Sequence, residues 1–385
     1  MKTKALLWIW ITFMGLYACR AETDNKKSLS FETPHSVSKT VNKNYIKVAL
    51  LLDTSNSMDG LIDQAKAQLW NIVNELSYAK CDGDLPSLQI GLYEYGNDNL
   101  NAREGYLRKI LPFTEDLDEV SKELFSLTTN GGSEYCGTVI KASLEKLDWG
   151  TNADDLKMIF IAGNEPFTQG NVHYKDAASE AKEKGVIVNT IFCGDYSHGI
   201  ESKWKEGATL TYGDYSAIDH DHKTIYTPSP YDELILQLNI RLNNTYVPYG
   251  SYGKRKMEVQ ASQDENAATY SKANAVSRTV TKGSHLYKNS TWDLVDAETE
   301  EDFNYTTLEN DKLPEELKEM STSELKKHIT NQRKKRTEIQ TEIQKLNEKR
   351  RIFLSNTTTE ASDGLGNAML RALKKQAEKK NYSWD

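Results

Sequence analysis

The chain has 385 residues, enough for two or three domains or for one large domain with appendages. Hydrophobic residues make up 38% and charged residues 27%, so a real core can form while polar extensions remain affordable. A net charge of −8 gives no basis for nucleic-acid binding by the chain as a whole.

At the N-terminus, Lys2 and Lys4 precede an apolar stretch from Ala5 to Ala18. That is short of the roughly 20 residues a membrane-spanning helix needs. The stretch closes on Leu16-Tyr17-Ala18-Cys19, which resembles the lipobox of bacterial lipoproteins, with Tyr17 bulkier than usual at its position. The resemblance implies a signal peptide over 1–18 and a lipid on Cys19, the first residue of the mature chain. The alternative is an ordinary secretory signal that ends in cysteine. Loss of residues 1–18 removes two lysines and no acids and leaves a side-chain charge of −10. Arg20 after Cys19, by resemblance to some lipoproteins, points to the outer membrane, on its periplasmic or surface side. Residues 19–44 are polar without apolar periodicity and read as a tether.

The next 200 residues alternate strand-like and helical runs. Strands are expected over Ile46–Leu52, Leu88–Tyr95, Gly105–Leu111, Met158–Ala162, Val186–Phe192 and Thr209–Ile218. Helices are expected over Leu61–Tyr78, Asp116–Leu127, Gly137–Leu147, Tyr174–Lys184 and Pro230–Asn244. The alternation predicts an α/β fold, a doubly wound and mostly parallel sheet over 45–246. Ligands of such sheets bind beyond the carboxyl ends of the strands. Three loops fall at that edge: Asp53-Thr54-Ser55-Asn56-Ser57, Thr128–Gly137 and Ala162–Gly170.

Asp53, Ser55 and Ser57 are pure oxygen donors, and the two serines can turn their hydroxyls to one side of an extended turn. Ser133 can add a hydroxyl from the neighbouring loop. Hard divalent ions such as Mg²⁺, Ca²⁺ or Mn²⁺ prefer such oxygens. The competing role of Asp53 or Ser57 is to cap the following helix.

The segments LLLDTSNSM, GGSEYCG and IFIAGNEP resemble, in order, the three loop motifs of the von Willebrand factor A domain family. The likeness covers about Tyr45 to Asn244. It implies a metal-ion-dependent adhesion site built on Asp53, Ser55, Ser57 and Ser133, completed by an acidic residue of a protein partner. Where the family carries an aspartate in its third loop, this chain has Gly163, followed by Asn164 and Glu165. A formal negative charge is missing there, so Asn164, Glu165 or Glu134 must replace it or the site is weak or empty.

Other chemistry is thin. Asp219-His220-Asp221-His222 has metal-ligand residue types but lies in a polar loop and reads as a solvated turn. Tyr93 and Tyr95 read as strand aromatics packed on a face. After Cys19 three cysteines remain, and three cannot all pair. Cys136 and Cys193 fall at the ligand edge and Cys81 at the opposite edge, so Cys136–Cys193 is the expected disulfide if one forms.

Beyond Tyr246 the character changes. Residues 247–320 read as a polar, acidic linker; Trp292 to Met320 holds eleven acids against two lysines. From Lys326 to Arg351 there are ten Lys or Arg against three Glu, with partial heptad spacing of the coiled-coil kind. Ser321 and Glu324 have capping-box spacing. A helical hairpin is expected over 321–385, its two helices packed on each other, its basic face partly neutralised by the acidic stretch.

The sequence thus predicts an envelope lipoprotein, membrane-attached through its lipid. A cation-assisted protein-binding domain and a C-terminal helical extension follow the anchor, with no catalytic residue and no nucleic-acid partner. The alternatives are a metal-dependent hydrolase and a structural module with an empty site.

Overall fold

The computed structural model describes residues 44–221, 227–357 and 364–384. The signal peptide over 1–18, Cys19, nearly all of the 19–44 tether and His222 lie outside them. In chain order the first elements are β1 (Tyr45–Asp53), α1 (Asp59–Leu76), β2 (Lys80–Cys81), β3 (Ser87–Tyr95), β4 (Leu107–Thr114), α2 (Leu117–Ser126) and α3 (Cys136–Lys146). Then come β5 (Leu156–Gly163), α4 (Tyr174–Glu183), β6 (Ile187–Cys193), α5 (Tyr196–Glu201), α6 (Trp204–Thr209), β7 (Tyr215–Ile218) and α7 (Asp232–Asn243). The C-terminal part adds α8 (Gly253–Tyr270), α9 (Lys272–Lys282), α10 (Leu294–Ala297), α11 (Glu315–Lys318), α12 (Thr322–Thr357), α13 (Leu365–Ala377) and β8 (Tyr382–Ser383).

Six strands form one sheet in the order β4-β3-β1-β5-β6-β7, parallel throughout except for β4, which runs antiparallel to β3. The central strands are apolar on both faces, as a doubly covered sheet requires. On β1, Ile46, Val48, Leu50 and Leu52 enter one core with α1, α2 and α7, while Ala49 and Leu51 enter the other with α3, α4 and α6. The expected strand over Thr209–Ile218 is shorter. Thr209 ends α6, whose Trp204 and Ala208 are buried against the sheet, and residues 210–214 turn the chain before β7 begins.

Two expectations for the C-terminal part are corrected. Residues 247–320 are not a linker: α8 and α9 pack on α1, α2 and α7 as part of one compact unit. Their polar residues are buried because they are hydrogen-bonded. Asn274 Nδ2 donates to the carbonyls of Lys66 and Ala67, both at 3.1 Å, and Asn74 Nδ2 donates to Ser277 O at 2.9 Å.

Nor do α12 and α13 form a hairpin or a coiled coil with each other. The stripe of α12 (Ile339, Ile343) packs on α7 and α9, and that of α13 (Met369, Leu373) packs on α1 and the β6–β7 end of the sheet. Each narrow apolar stripe is buried more completely on the α/β body than one exposed helix could bury the other. The basic face meets the acidic segment as expected: Arg333 pairs with Glu298 at 2.9 Å, and buried Arg336 bonds Asp293 and Asp296 at 2.5 and 2.6 Å. Among the described residues, no helix is long and apolar enough to cross a membrane.

Candidate functional site

The last residue of β1, Asp53, is completely buried at the carboxyl end of the sheet. Its Oδ1 accepts the Ser55 N–H at 2.7 Å, which bends the chain sharply out of the strand. Its Oδ2 is buried and receives no hydrogen bond. Ser55 is buried and Ser57 is exposed, with their hydroxyls 3.4 Å apart, so the two serines run from the floor of the crevice to its mouth.

The second loop is fastened to this turn through its backbone. Asn130 N donates to Thr54 O at 2.9 Å, Asn56 N to Gly131 O at 3.0 Å, and Ser133 bridges to Gly96. Gly96 is needed at that bridge. Its φ is +81°, and a Cβ there would stand 2.6 Å from Asp53 Oδ1 and 2.9 Å from Glu134 Cγ. The close approach brings the buried Glu134 carboxyl alongside Asp53. Burial first, then the Glu134 charge and hydrogen bond, hold the Asp53 carboxyl well above the usual carboxylate range. Burial raises Glu134 as well.

The third loop arrives from β5. Asn164 Nδ2 donates to Ser57 Oγ at 3.1 Å, while Asn164 Oδ1 is buried without a partner. Glu165 contributes its backbone N–H, which donates to Glu134 Oε2 at 3.2 Å. Its carboxylate does not enter the cluster as a ligand, because Gln169 Nε2 binds it at 2.9 Å.

Gly163 has a local cause. A Cβ at that position would stand 2.5 Å from Tyr95 Oη and 3.1 Å from Asp53 Oδ2. The Tyr95 hydroxyl, donating to Ala162 O at 2.9 Å, fills the space that a side chain on residue 163 would occupy.

The structure thus brings Asp53, Ser55, Ser57 and Asn164 together, and sets Ser133 beside them through its backbone. Sequence reasoning gave Glu134 only a conditional role and treated Tyr95 as packing. The signal for both was the glycine that ends Leu92-Tyr93-Glu94-Tyr95-Gly96, since a glycine there lets the second loop approach Asp53 closely.

Two buried acceptors without donors, beside a second carboxyl and two hydroxyls, are a donor set that fits a hard divalent cation. Among the described residues, no group of three or more His, Cys, Asp and Glu side chains could hold a metal ion. A cation here would therefore depend on Asp53 and Glu134 together with hydroxyl and amide oxygens.

The expected Cys136–Cys193 disulfide is absent: Cys81, Cys136 and Cys193 are all buried free thiols. Cys136 belongs to the core on one face of the sheet and Cys193 to the core on the other, so the sheet stands between them. Of the Asp219–Asp221 turn, the Asp219 and His220 carbonyls accept Gln64 Nε2 at 2.7 and 3.0 Å, and Asp219 Oδ1 accepts Asp221 N at 3.0 Å. It is a fastened turn near the start of α1.

Residues 47–201 match the family model of the von Willebrand factor type A domain. Similar solved structures include the conserved hypothetical protein BatB from Bacteroides thetaiotaomicron, 18% identical, with a TM-score of 0.35; the match covers 45% of this chain and 90% of that one. Another is an aerotolerance-related membrane protein from Bacteroides fragilis NCTC 9343, 17% identical, covering 46% of this chain and 93% of that one at a TM-score of 0.32. A third is proximal thread matrix protein 1 from the mussel byssus, with a zinc-occupied MIDAS motif, 18% identical, covering 46% and 44% at a TM-score of 0.33. No curated protein matches the chain. The stretch from residue 47 to residue 201, which carries all three loops of the crevice, is the part of this protein that matches a von Willebrand factor type A domain.

Proposed function

We propose that the protein binds another protein through a divalent cation, with Mg²⁺ the expected ion, at the Asp53 crevice. Asp53, Ser55 and Ser57 would hold the ion, with Glu134 supplying the charge that Gly163 does not. The reading is carried by the buried Asp53 Oδ2, left without a donor beside the Glu134 carboxyl. A bound cation would stabilise both carboxylates in their ionised form. Ser57 stands exposed at the mouth, where an acidic residue of the partner would complete the coordination. The role proposed is binding and not catalysis: among the described residues, no histidine hydrogen-bonds to any of these oxygens.

The N-terminal sequence supports placing this domain in the cell envelope, on a lipid at Cys19 and a polar tether, at the outer membrane. Cys19→Ser should release the protein from the membrane fraction. The cation reading is tested by titration calorimetry with Mg²⁺ and Mn²⁺ on the wild type and Asp53→Ala, and by pull-down from envelope extracts with and without chelator. Metal binding lost in Asp53→Ala, and a partner lost in chelator, are the expected results. Partner capture indifferent to both would sink the reading.

One observation favours a second reading. The raised Asp53 and Glu134 carboxyls can share a proton, which would leave the pair a single negative charge with no ion and make the crevice part of a structural module.

A further inference from the structure

The sheet has two edges, and they are finished differently. Edge strand β4 carries Arg108, Lys109 and Pro112, and its pairing with β3 is broken by two register shifts. These are the usual devices that stop an edge from pairing with another chain. Edge strand β7, Tyr-Ser-Ala-Ile, has no charge, no proline and no shift in its pairing with β6. The carbonyls of Asp214 and Ile218 accept from Thr190 and Gly194. In a parallel ladder that alternation turns the N–H and C=O groups of Tyr215 and Ala217 away from β6.

Beside this edge lies a groove of about 430 Å³, lined by Tyr196, Tyr215 and Ala217 on one side and by Ala368, Ala372 and Lys375 of α13 on the other. The small side chains leave room where a neighbouring strand would run. Exposed apolar surface adds to the groove: Tyr196, half exposed, sets its ring 5.0 Å from that of Tyr215 on β7. Basic side chains stand at the same place: Lys375 lines the groove, and the Lys205 ammonium stands 5.9 Å over the Tyr196 ring. In its pair with Asp214, Lys375 is 63% exposed, so its ammonium can exchange one carboxylate for another.

We propose that the β7 edge is a second docking surface, which takes an extended acidic peptide segment of a partner protein by strand addition. Main-chain groups of Tyr215 and Ala217 pair with the incoming strand. Its alternate side chains then face the Tyr196–Tyr215 aromatics and the alanine floor of α13, where Lys375 meets an acidic residue. The surface is separate from the Asp53 crevice and needs no cation.

The probe is a short capped peptide alternating valine and glutamate, carrying a fluorophore, with the valine–lysine peptide as control. Binding to the full chain is read by anisotropy, and the amides of Tyr215 and Ala217 by hydrogen exchange. Expected results are binding of the acidic peptide alone, protection of those two amides, and no change in chelator. Lys375→Glu should weaken binding about tenfold. Ala217→Pro, which removes an outward N–H, should weaken it by a similar factor, one main-chain hydrogen bond. Lys375→Glu keeps the test open if the proline variant fails to fold. Absence of binding, equal binding of the lysine peptide, or binding unaffected by Lys375→Glu would overturn the proposal. So would self-association of the chain through β7 in sedimentation.

Discussion

Two regions of this molecule bury carboxylates, and they treat them in opposite ways. In the C-terminal layer, Arg278 bonds Asp118 at 2.7 Å and Asp264 at 2.6 Å, Lys282 adds a bond to Asp264 at 2.8 Å, and Tyr287 donates to Asp118 at 2.6 Å. Against burial, which raises it, the Lys282 and Arg278 charges hold the Asp264 carboxyl well below the usual range. At the Asp53 crevice two carboxyls meet with no Arg, Lys or His bonded to either among the described residues. Burial raises both, and the Glu134 charge raises Asp53 further. The first arrangement clamps α8 and α9 to the α/β body. The second leaves a deficit of positive charge at the one edge of the sheet where ligands bind, and such a deficit is kept where a ligand can fill it.

The largest effect should come from breaking the clamp. Arg278→Met leaves Asp118 and Asp264 buried with one cation fewer and should cost about 3–5 kcal/mol, read by urea unfolding. The clamp also has an acid limit. A carboxyl lowered in the folded state contributes stability that is present above the unfolded pKa of about 4 and is lost as pH falls through the folded value. The wild type should therefore weaken steeply below about pH 4, and Arg278→Met less steeply. Equal acid slopes would show that Asp264 is not what Arg278 holds.

The second prediction tests why the crevice lacks its third carboxylate. Gly163→Asp restores the aspartate of the resembled motif but places a Cβ against Tyr95 Oη. It should destabilise the protein by about 1–3 kcal/mol through overpacking. Tyr95→Phe in the same chain removes the clashing oxygen and should recover part of that loss. If Gly163→Asp alone is tolerated and tightens Mg²⁺ binding, the tyrosine is not the obstacle.

How much of this was legible depended on where hydrophobicity carried the signal. The sheet and its flanking helices were readable because β1, β3, β5 and β6 are apolar runs separated by amphipathic helices, and five of the six expected strands overlap the observed ones closely. The oxygen donors of the turn were readable because Asp53, Ser55 and Ser57 stand together in sequence. Glu134 and Tyr95 were not, since each acts across a contact that only the Gly96 approach creates. The C-terminal layer misled for a different reason. Asn274, Ser277, Arg278 and Lys282 are polar in sequence, but hydrogen bonds and ion pairs to distant residues allow their burial. Composition does not report such partners. The Ser321 capping box, by contrast, is local, and it is present: Ser321 N donates to Glu324 at 2.9 Å, and Glu324 N donates back to Ser321 Oγ at 3.3 Å.

The smallest expected effect is the most informative about the crevice. Asp53→Asn removes one of two abutting carboxyls and keeps the side-chain shape. In chelator the variant should be more stable than the wild type by about 1 kcal/mol, because a binding site that buries uncompensated charge trades stability for function. The sign with pH follows from the raised carboxyl. Its favourable contribution is complete below the unfolded pKa of about 4 and is lost as pH rises through the folded value. The advantage of Asp53→Asn should thus be largest near neutral pH and vanish as pH approaches 4. Added Mg²⁺ should stabilise the wild type and not the variant, so the two curves converge or cross as the ion is titrated in, by binding linkage. A thermal-shift series in chelator and in Mg²⁺, at neutral pH and near pH 4, reads all of this in one experiment. Should Asp53→Asn prove less stable in chelator at neutral pH, the Ser55 N–H bond to Oδ1 outweighs the repulsion from Glu134. Asp53 would then serve the turn and not a cation.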